Sequence, residues 1–351
     1  MAKSIYITSA EGHSGKSSIA LGVLDTLQRG IERVGVFRPV ARSTHERDYV
    51  LELLLSRDGV NLDYDECVGV SYEDVHDDPD AALSLIVDRF KQVEAKCDAV
   101  VIVGSDYTDI ATPTELAYNA RIAANLGAPV LLVLTGCEPD ETRARTADEL
   151  RQVTELAAPQ LAEARASLFA IIVNRADPEK LDEIVRVVGK QANVPAWAIP
   201  EDPYLIAPTM EAIMHAVDGT LLKGDAALLG REALGVVIAA MSMENVLPRL
   251  IEGGVVVIPG DRSEMLLAAL TAHASATFPS LSGIVLNGGF ELSQTMDHLI
   301  AGLDESLPIV TTEHGTYATA QRIVQTRGRL TASSQRKIDT ALALFEKHVD
   351  G

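Results

Sequence analysis

Residues Ser4 to Ser18 read Ser-Ile-Tyr-Ile-Thr-Ser-Ala-Glu-Gly-His-Ser-Gly-Lys-Ser-Ser, a short β-forming run joined to a helical pattern by a loop that ends in Gly15-Lys16-Ser17. Such a loop is a phosphate cradle. Gly15 lets the backbone approach an anion closely, the N–H groups of the loop and of the opening helix point at it, Lys16 adds a mobile positive charge, and the Ser17 hydroxyl is placed to hold Mg²⁺. Gly12, His13, Ser14 and Ser18 complete the candidate phosphate-binding set. The fit to G-x-x-x-x-G-K-[ST] is incomplete, because Ala10 stands where the first Gly belongs and Gly12 lies two positions later. The plainer alternative is an inherited loop whose Gly and Lys only satisfy a helix N-terminus.

The surroundings favour the cradle. Ile5, Tyr6 and Ile7 form a buried parallel strand, and Ile19, Ala20, Val23, Leu24 and Leu27 give one apolar face at helical spacing before Gly30. Further strand-like runs fall at about Val34 to Phe37, Ala99 to Val103, Val130 to Leu134, Leu168 to Val173 and Pro195 to Ile199. Amphipathic helices separate them, at about Asp48 to Ser56, Asp80 to Lys96, Thr112 to Leu126, Asp140 to Leu156 and Pro178 to Gln191. This alternation predicts a doubly wound parallel α/β sheet with ligands at the carboxyl ends of its strands. The acidic segment Asp63 to Asp80 reads as a loop or helix entry with a solvated face, since it lacks EF-hand spacing and its Gly.

A chain of 351 residues exceeds one typical core and predicts about two domains. A formal charge of -20 opposes nucleic-acid or acidic-membrane partners, so the phosphate loop acts locally on a small ligand. Cys67, Cys97 and Cys137 are an odd set without a C-x-x-C pair, and the N-terminus enters a strand with no apolar leader, which predicts a cytoplasmic protein with reduced thiols. No apolar run is long enough to span a membrane.

Residues just after the strands carry the remaining chemistry. Arg38-Pro39-Val40 puts a guanidinium near the phosphate loop, although an Arg at a strand end is about as often a surface ion-pair partner. Asn174-Arg175-Ala176-Asp177-Pro178 presents the Asn174 amide either to a purine edge or as a cap for the helix that follows.

The phosphate loop, then Val-Phe-Arg-Pro-Val, then Arg-Asp-Tyr-Val-Leu-Glu-Leu-Leu, then Val-Asn-Arg-Ala-Asp-Pro, resembles dethiobiotin synthetase and its relatives over roughly Met1 to Pro208. Val255 to Ser263, followed by Gly283 to Gly289, resembles the DRTGG domain. The pairing is similar to the N-terminal region of long bacterial phosphate acetyltransferases, and the wording Phe-Arg-Pro-Val-Ala-Arg-Ser and Gly-Ser-Asp-Tyr-Thr-Asp is most similar to the actinobacterial ones.

Carried over residue by residue, the resemblance implies that Lys16 and Ser17 are the phosphate lysine and the Mg²⁺ hydroxyl, that Asp48 is a metal carboxylate, and that Asn174 contacts a purine. Arg38 stands where the synthetase has Lys, and His13 where it has an acid. In Val103-Gly104-Ser105-Asp106 the synthetase's metal-binding Glu is replaced by Gly104; Asp106 could approach the metal from the loop. Loss of that carboxylate argues against ATP-dependent ring closure and for binding without turnover.

The second half also alternates, with strand-like runs at Gly235 to Ala239, Val255 to Ile258, Ile284 to Leu286 and Ile309 to Val310, and helical patterns at Met243 to Ile251, Ser263 to His273 and Leu292 to Leu303. In the turn Gly260-Asp261-Arg262, Asp261 reads as a helix cap and Arg262 as a partner for a small anion, the cap being favoured. Ser333 to His348 reads as one helix whose Ile338, Ala341, Leu342 and Phe345 need a partner surface.

The expected organisation is therefore a P-loop domain at 1–215, a smaller α/β DRTGG domain at 216–330, and a helix or linker at 331–351 towards an acetyltransferase domain. Two functions compete. The resemblance implies the regulatory and assembly region of a homo-oligomeric phosphate acetyltransferase, binding ATP, another nucleotide with Mg²⁺ or a small anionic metabolite; the rival is a stand-alone ATP-dependent ligase using Lys16, Ser17 and Asp48.

Overall fold

The computed structural model describes residues 3–43, 46–105, 115–138, 143–303 and 306–349. They form two compact units: Met1–Asp202 together with Leu330–Gly351, and Pro203–Arg329.

In the first unit the chain runs β1 (Lys3–Ser9), α1 (Lys16–Gln28), β2 (Val34–Ala41), α2 (Tyr49–Leu55), β3 (Val68–Ser71), α3 (Tyr72–Asp77), α4 (Pro79–Glu94), β4 (Ala99–Val103), α5 (Glu115–Leu126), β5 (Val130–Thr135), α6 (Ala147–Glu163), β6 (Leu168–Ala176), α7 (Leu181–Ala192) and β7 (Ala196–Pro200). The seven strands are parallel in the order β3-β2-β4-β1-β5-β6-β7. The central strands are near-continuous runs of Val, Ile and Leu because both sheet faces are covered. Strand β3 lies inside the acidic stretch expected to be a loop: its Val-Gly-Val-Ser core is only four residues long, too short for a periodic signal.

Right-handed crossovers decide which face each helix takes. From β1 to β2 and from β2 to β3 the chain moves one way along the sheet, so α1 and α2 share a face and touch each other. From β3 onward it moves the other way, and α4, α5, α6 and α7 form a contiguous row on the opposite face, closing a core that includes Ile86, Phe90, Ala120, Leu150 and Ile184. Two helices cannot cover seven strands. The last helix of the chain, Gln335–His348, completes that face by lying beside α1 and reaching β7, with Ile338, Ala341 and Phe345 buried. The segment expected at 331–351 as a helix or linker is thus part of the first unit's packing.

The second unit comprises α8 (Pro203–Ile206), α9 (Met210–Ala216), β8 (Thr220–Lys223), β9 (Gly235–Ile238), α10 (Met243–Val246), β10 (Gly254–Pro259), α11 (Ser263–Ala274), β11 (Leu281–Asn287), α12 (Gln294–Ala301), β12 (Ile309–Thr311) and α13 (Thr316–Gln325); the terminal helix, Gln335–His348, is α14. Its sheet order is β8-β12-β11-β10-β9, parallel except for β8. Helix α9 belongs here, ahead of the boundary expected at 215, because Met210, Ile213 and Val217 pack with Val255, Val257 and Val285.

Candidate functional site

Strands β1 and β4 are neighbours whose outgoing connections run to opposite faces of the sheet, and a crevice opens between such strands at their carboxyl ends. The phosphate loop fills one side of it. Gly12 and the exposed His13 (φ 56) form the turn, and Gly15, at φ 74, is the left-handed N-cap of α1. Glycine is required at 15 twice over, since a Cβ there would also collide with the Asn174 amide. Ser18 Oγ donates to the Gly15 carbonyl at 2.7 Å, and Ser17 sits half-buried in the first turn. The Ser14 hydroxyl is fully buried with no hydrogen-bond partner among the described residues. An unmet buried hydroxyl costs about 1–3 kcal/mol.

Lys16 does not extend into solvent. Its ammonium is buried and donates to Ser9 Oγ at 3.1 Å and to the Ser105 carbonyl at 3.0 Å, tying the loop to the end of β4. Arg38 converges on the same strand end from β2, donating from Nη1 to the carbonyls of Val103 (3.0 Å) and Gly104 (2.5 Å) and from Nε to Asp48 Oδ2 (3.0 Å). Arg38 and Asp48 are both almost wholly buried. Arg38 thus pairs with a carboxylate in the interior, where a surface pair was the alternative reading, and it meets the same strand end as Lys16.

Asn174 does not cap the helix that follows it. It lies within β6, helix α7 begins only at Leu181, and the side chain donates to the Ser14 carbonyl at 2.9 Å, bracing the loop from behind. Glu11, also in the loop, is clamped by Arg145 at 2.5 and 2.7 Å in a two-pronged pair that the sequence reading missed. Asp106 lies outside the described residues.

Among the described residues the carboxylates do not fit the Mg²⁺ implied by the loop. Asp48 Oδ1 caps α2 by accepting from the backbone N–H groups of Val50 and Leu51, and Oδ2 is held by Arg38. At Gly104 there is no room for the missing Glu: a Cβ would collide with Asn119 Oδ1 and stand 2.9 Å from the Tyr6 ring. Those two groups are bonded to each other, Tyr6 Oη donating to Asn119 Oδ1 at 2.7 Å. Burial pushes the Tyr6 phenol far above its ordinary pKa, against a smaller opposing pull from Arg38, so it stays a neutral donor. Among the described residues no group of three or more His, Cys, Asp or Glu could hold a metal ion.

In the second unit, the turn singled out by sequence is occupied differently. Arg262 donates to the carbonyls of Ala239 (3.1 Å) and Met241 (2.9 Å) and pairs with Glu264, so its guanidinium knits two strand ends together. The N-cap of α11 is Arg262 itself, with no side-chain cap bond, and Asp261 is exposed, which corrects its expected capping role. Gly260 closes the turn by donating its N–H to Asn287 O at 2.9 Å. Among the described residues no helix is long and apolar enough to cross a membrane.

A parallel sheet with its phosphate loop between β1 and α1 defines a P-loop α/β protein, followed by a second α/β unit. Within that class the chain belongs to the AAA domain family, whose profile matches residues 3–209, and the DRTGG domain profile matches residues 212–326. It is 32% identical to a phosphate acetyltransferase of Nitratidesulfovibrio vulgaris over 100% of this chain and 51% of that protein. It is 27% identical to a phosphate acetyltransferase of Synechocystis over 100% of this chain and 51% of that protein. The chain thus spans about half the length of the curated relatives it matches. The septum site-determining protein MinD of Pyrococcus horikoshii, solved with Mg-ADP, is similar over 58% of this chain and 84% of that one, at 19% identity and a TM-score of 0.38, a likeness too slight to carry an argument.

Proposed function

We propose that this chain is a regulatory and assembly region of a phosphate acetyltransferase, an enzyme that interconverts acetyl-CoA plus phosphate with acetyl phosphate plus CoA. Its own chemistry is binding without turnover. The loop at Gly12 to Ser18 takes a nucleotide or a small anionic metabolite, and the acetyl-transfer site belongs to another domain of the same enzyme, in a cytoplasmic homo-oligomer.

The observation that carries this reading is the contrast between Lys16 and Gly104. Gly15, Lys16 and the unmet Ser14 hydroxyl make a loop suited to an anion, while the position from which a metal-binding carboxylate would project is packed against Tyr6 and Asn119. A ligase needs a metal and a placed nucleophile to move a phosphoryl group; a sensor needs only a ligand that prefers one arrangement of the protein to another. Calorimetric titration with ATP, ADP and pyrophosphate, run beside a phosphate-release assay, tests it. Binding abolished by Lys16→Ala, with no release, is expected. Sustained Lys16-dependent release would transfer the chain to the ligase reading.

A further inference from the structure

We infer that the anion site works without a divalent ion, because among the described residues the carboxylate that would bind one, Asp48, is already held by the Arg38 guanidinium beside the end of β4. The inference rests on the reading that the loop at Gly12 to Ser18 grips an anion, and it narrows the ligand to a phosphoryl group carried free of magnesium.

Arg38 donates to Asp48 Oδ2 at 3.0 Å, to Val103 O at 3.0 Å and to Gly104 O at 2.5 Å. Hard oxygen donors, a carboxylate above all, are what Mg²⁺ binds at about 2.0–2.1 Å and in near-octahedral array. Here they are spread around a planar cation that cannot be deprotonated and that burial holds in place. The remaining Asp48 oxygen is committed to the N-terminus of α2, so the carboxylate cannot swing towards a metal without uncapping that helix. Gly104 cannot be replaced by a ligand residue without displacing the Tyr6–Asn119 bond. Lys16 meets the same strand end one residue further on, through Ser105 O. Lys16 and Arg38 thus both anchor on the end of β4, Arg38 with its charge balanced by Asp48.

Titration of the complete chain with pyrophosphate, ADP and ATP, once in EDTA and once in excess MgCl₂, tests the inference. Binding in EDTA is expected to be at least as tight as in magnesium, for ATP as for pyrophosphate. Asp48→Asn keeps a cap oxygen for α2 and removes a negative charge, and is expected to tighten binding in both media by about threefold or more. Binding that appears only with Mg²⁺, or an Asp48→Asn variant with no gain in affinity, overturns the role given to Arg38 and leaves the anion-binding loop standing. If none of the three probes binds in either medium, the loop reading itself falls.

Discussion

Phe345, on the last helix, lies so tightly against Gly22, in the middle of α1, that any side chain at position 22 would have to enter its ring. The contact joins the helix that opens at the phosphate loop to the helix that completes the sheet's coverage, and Arg29 and Glu346 reinforce it with an exposed ion pair at 2.7 Å. That ion pair contributes little, about 0–1 kcal/mol. The ring carries the contact. In an isolated helix Gly22→Ala would gain about 1 kcal/mol of propensity, but here overpacking of about 1–3 kcal/mol opposes it. Net destabilisation is expected in chemical denaturation, with faster proteolysis within α14. Phe345→Ala should cost about 3–5 kcal/mol, and Gly22→Ala in that background should recover stability, because the ring it collides with is gone.

Restoring the lost carboxylate should not restore a reaction. In Gly104→Glu the side chain must displace the Tyr6–Asn119 hydrogen bond and bring a charge into a buried place, so a loss of about 3–5 kcal/mol is expected. Thermal melting measures the loss, and a phosphate-release assay with MgATP is expected to stay at background. A stable variant that turns over ATP would mean that the packing at 104 is not what prevents catalysis.

Glu11 is the one acidic side chain within the phosphate loop, and Arg145 neutralises it in a geometry that a lysine cannot reproduce. Arg145→Ala would leave a bare carboxylate beside the anion, and pyrophosphate affinity should fall by about tenfold. Adding Glu11→Gln should recover most of the loss, which calorimetry on the single and double variants would read directly. If the double variant stays as weak as the single one, Arg145 acts through something other than Glu11.

The sequence made the loop, the strand alternation and most helices legible, because each is a local pattern written in consecutive residues. The relations that define the site are not local. Arg38 and Asp48 were each recognisable as candidates, but only the placement of the α2 N-cap beside the Arg38 guanidinium shows that they neutralise each other. Asn174 looked like a cap because its own neighbourhood offers a helix start; the partner its side chain donates to, the Ser14 carbonyl, is 160 positions away in the chain. Gly22 in mid-helix had no local meaning until Phe345 supplied it. Strand β8 escaped notice as well, since its Thr-Leu-Leu-Lys run is short and finds its partner only in β12.

The second unit carries its own acid sensitivity at His273, on the last turn of α11. The imidazole Nδ1 accepts a hydrogen bond from the Leu281 backbone N–H at 3.0 Å, at the start of β11. Burial, aided by the Arg231 charge, holds this His below its ordinary pKa of 6.5. The folded state therefore keeps the ring neutral under conditions in which the unfolded chain protonates it. The stabilisation is fully present above about pH 6.5 and declines as the pH falls from there through the lower, folded-state value. Protonation at Nδ1 would also end its role as an acceptor. Denaturation of the second unit, followed by hydrogen exchange at β11 between pH 7.5 and 5, should show falling protection. His273→Gln, which cannot titrate in that window, should be less stable at pH 7.5 and should flatten the pH dependence. Equal slopes for the two proteins would place the acid sensitivity elsewhere.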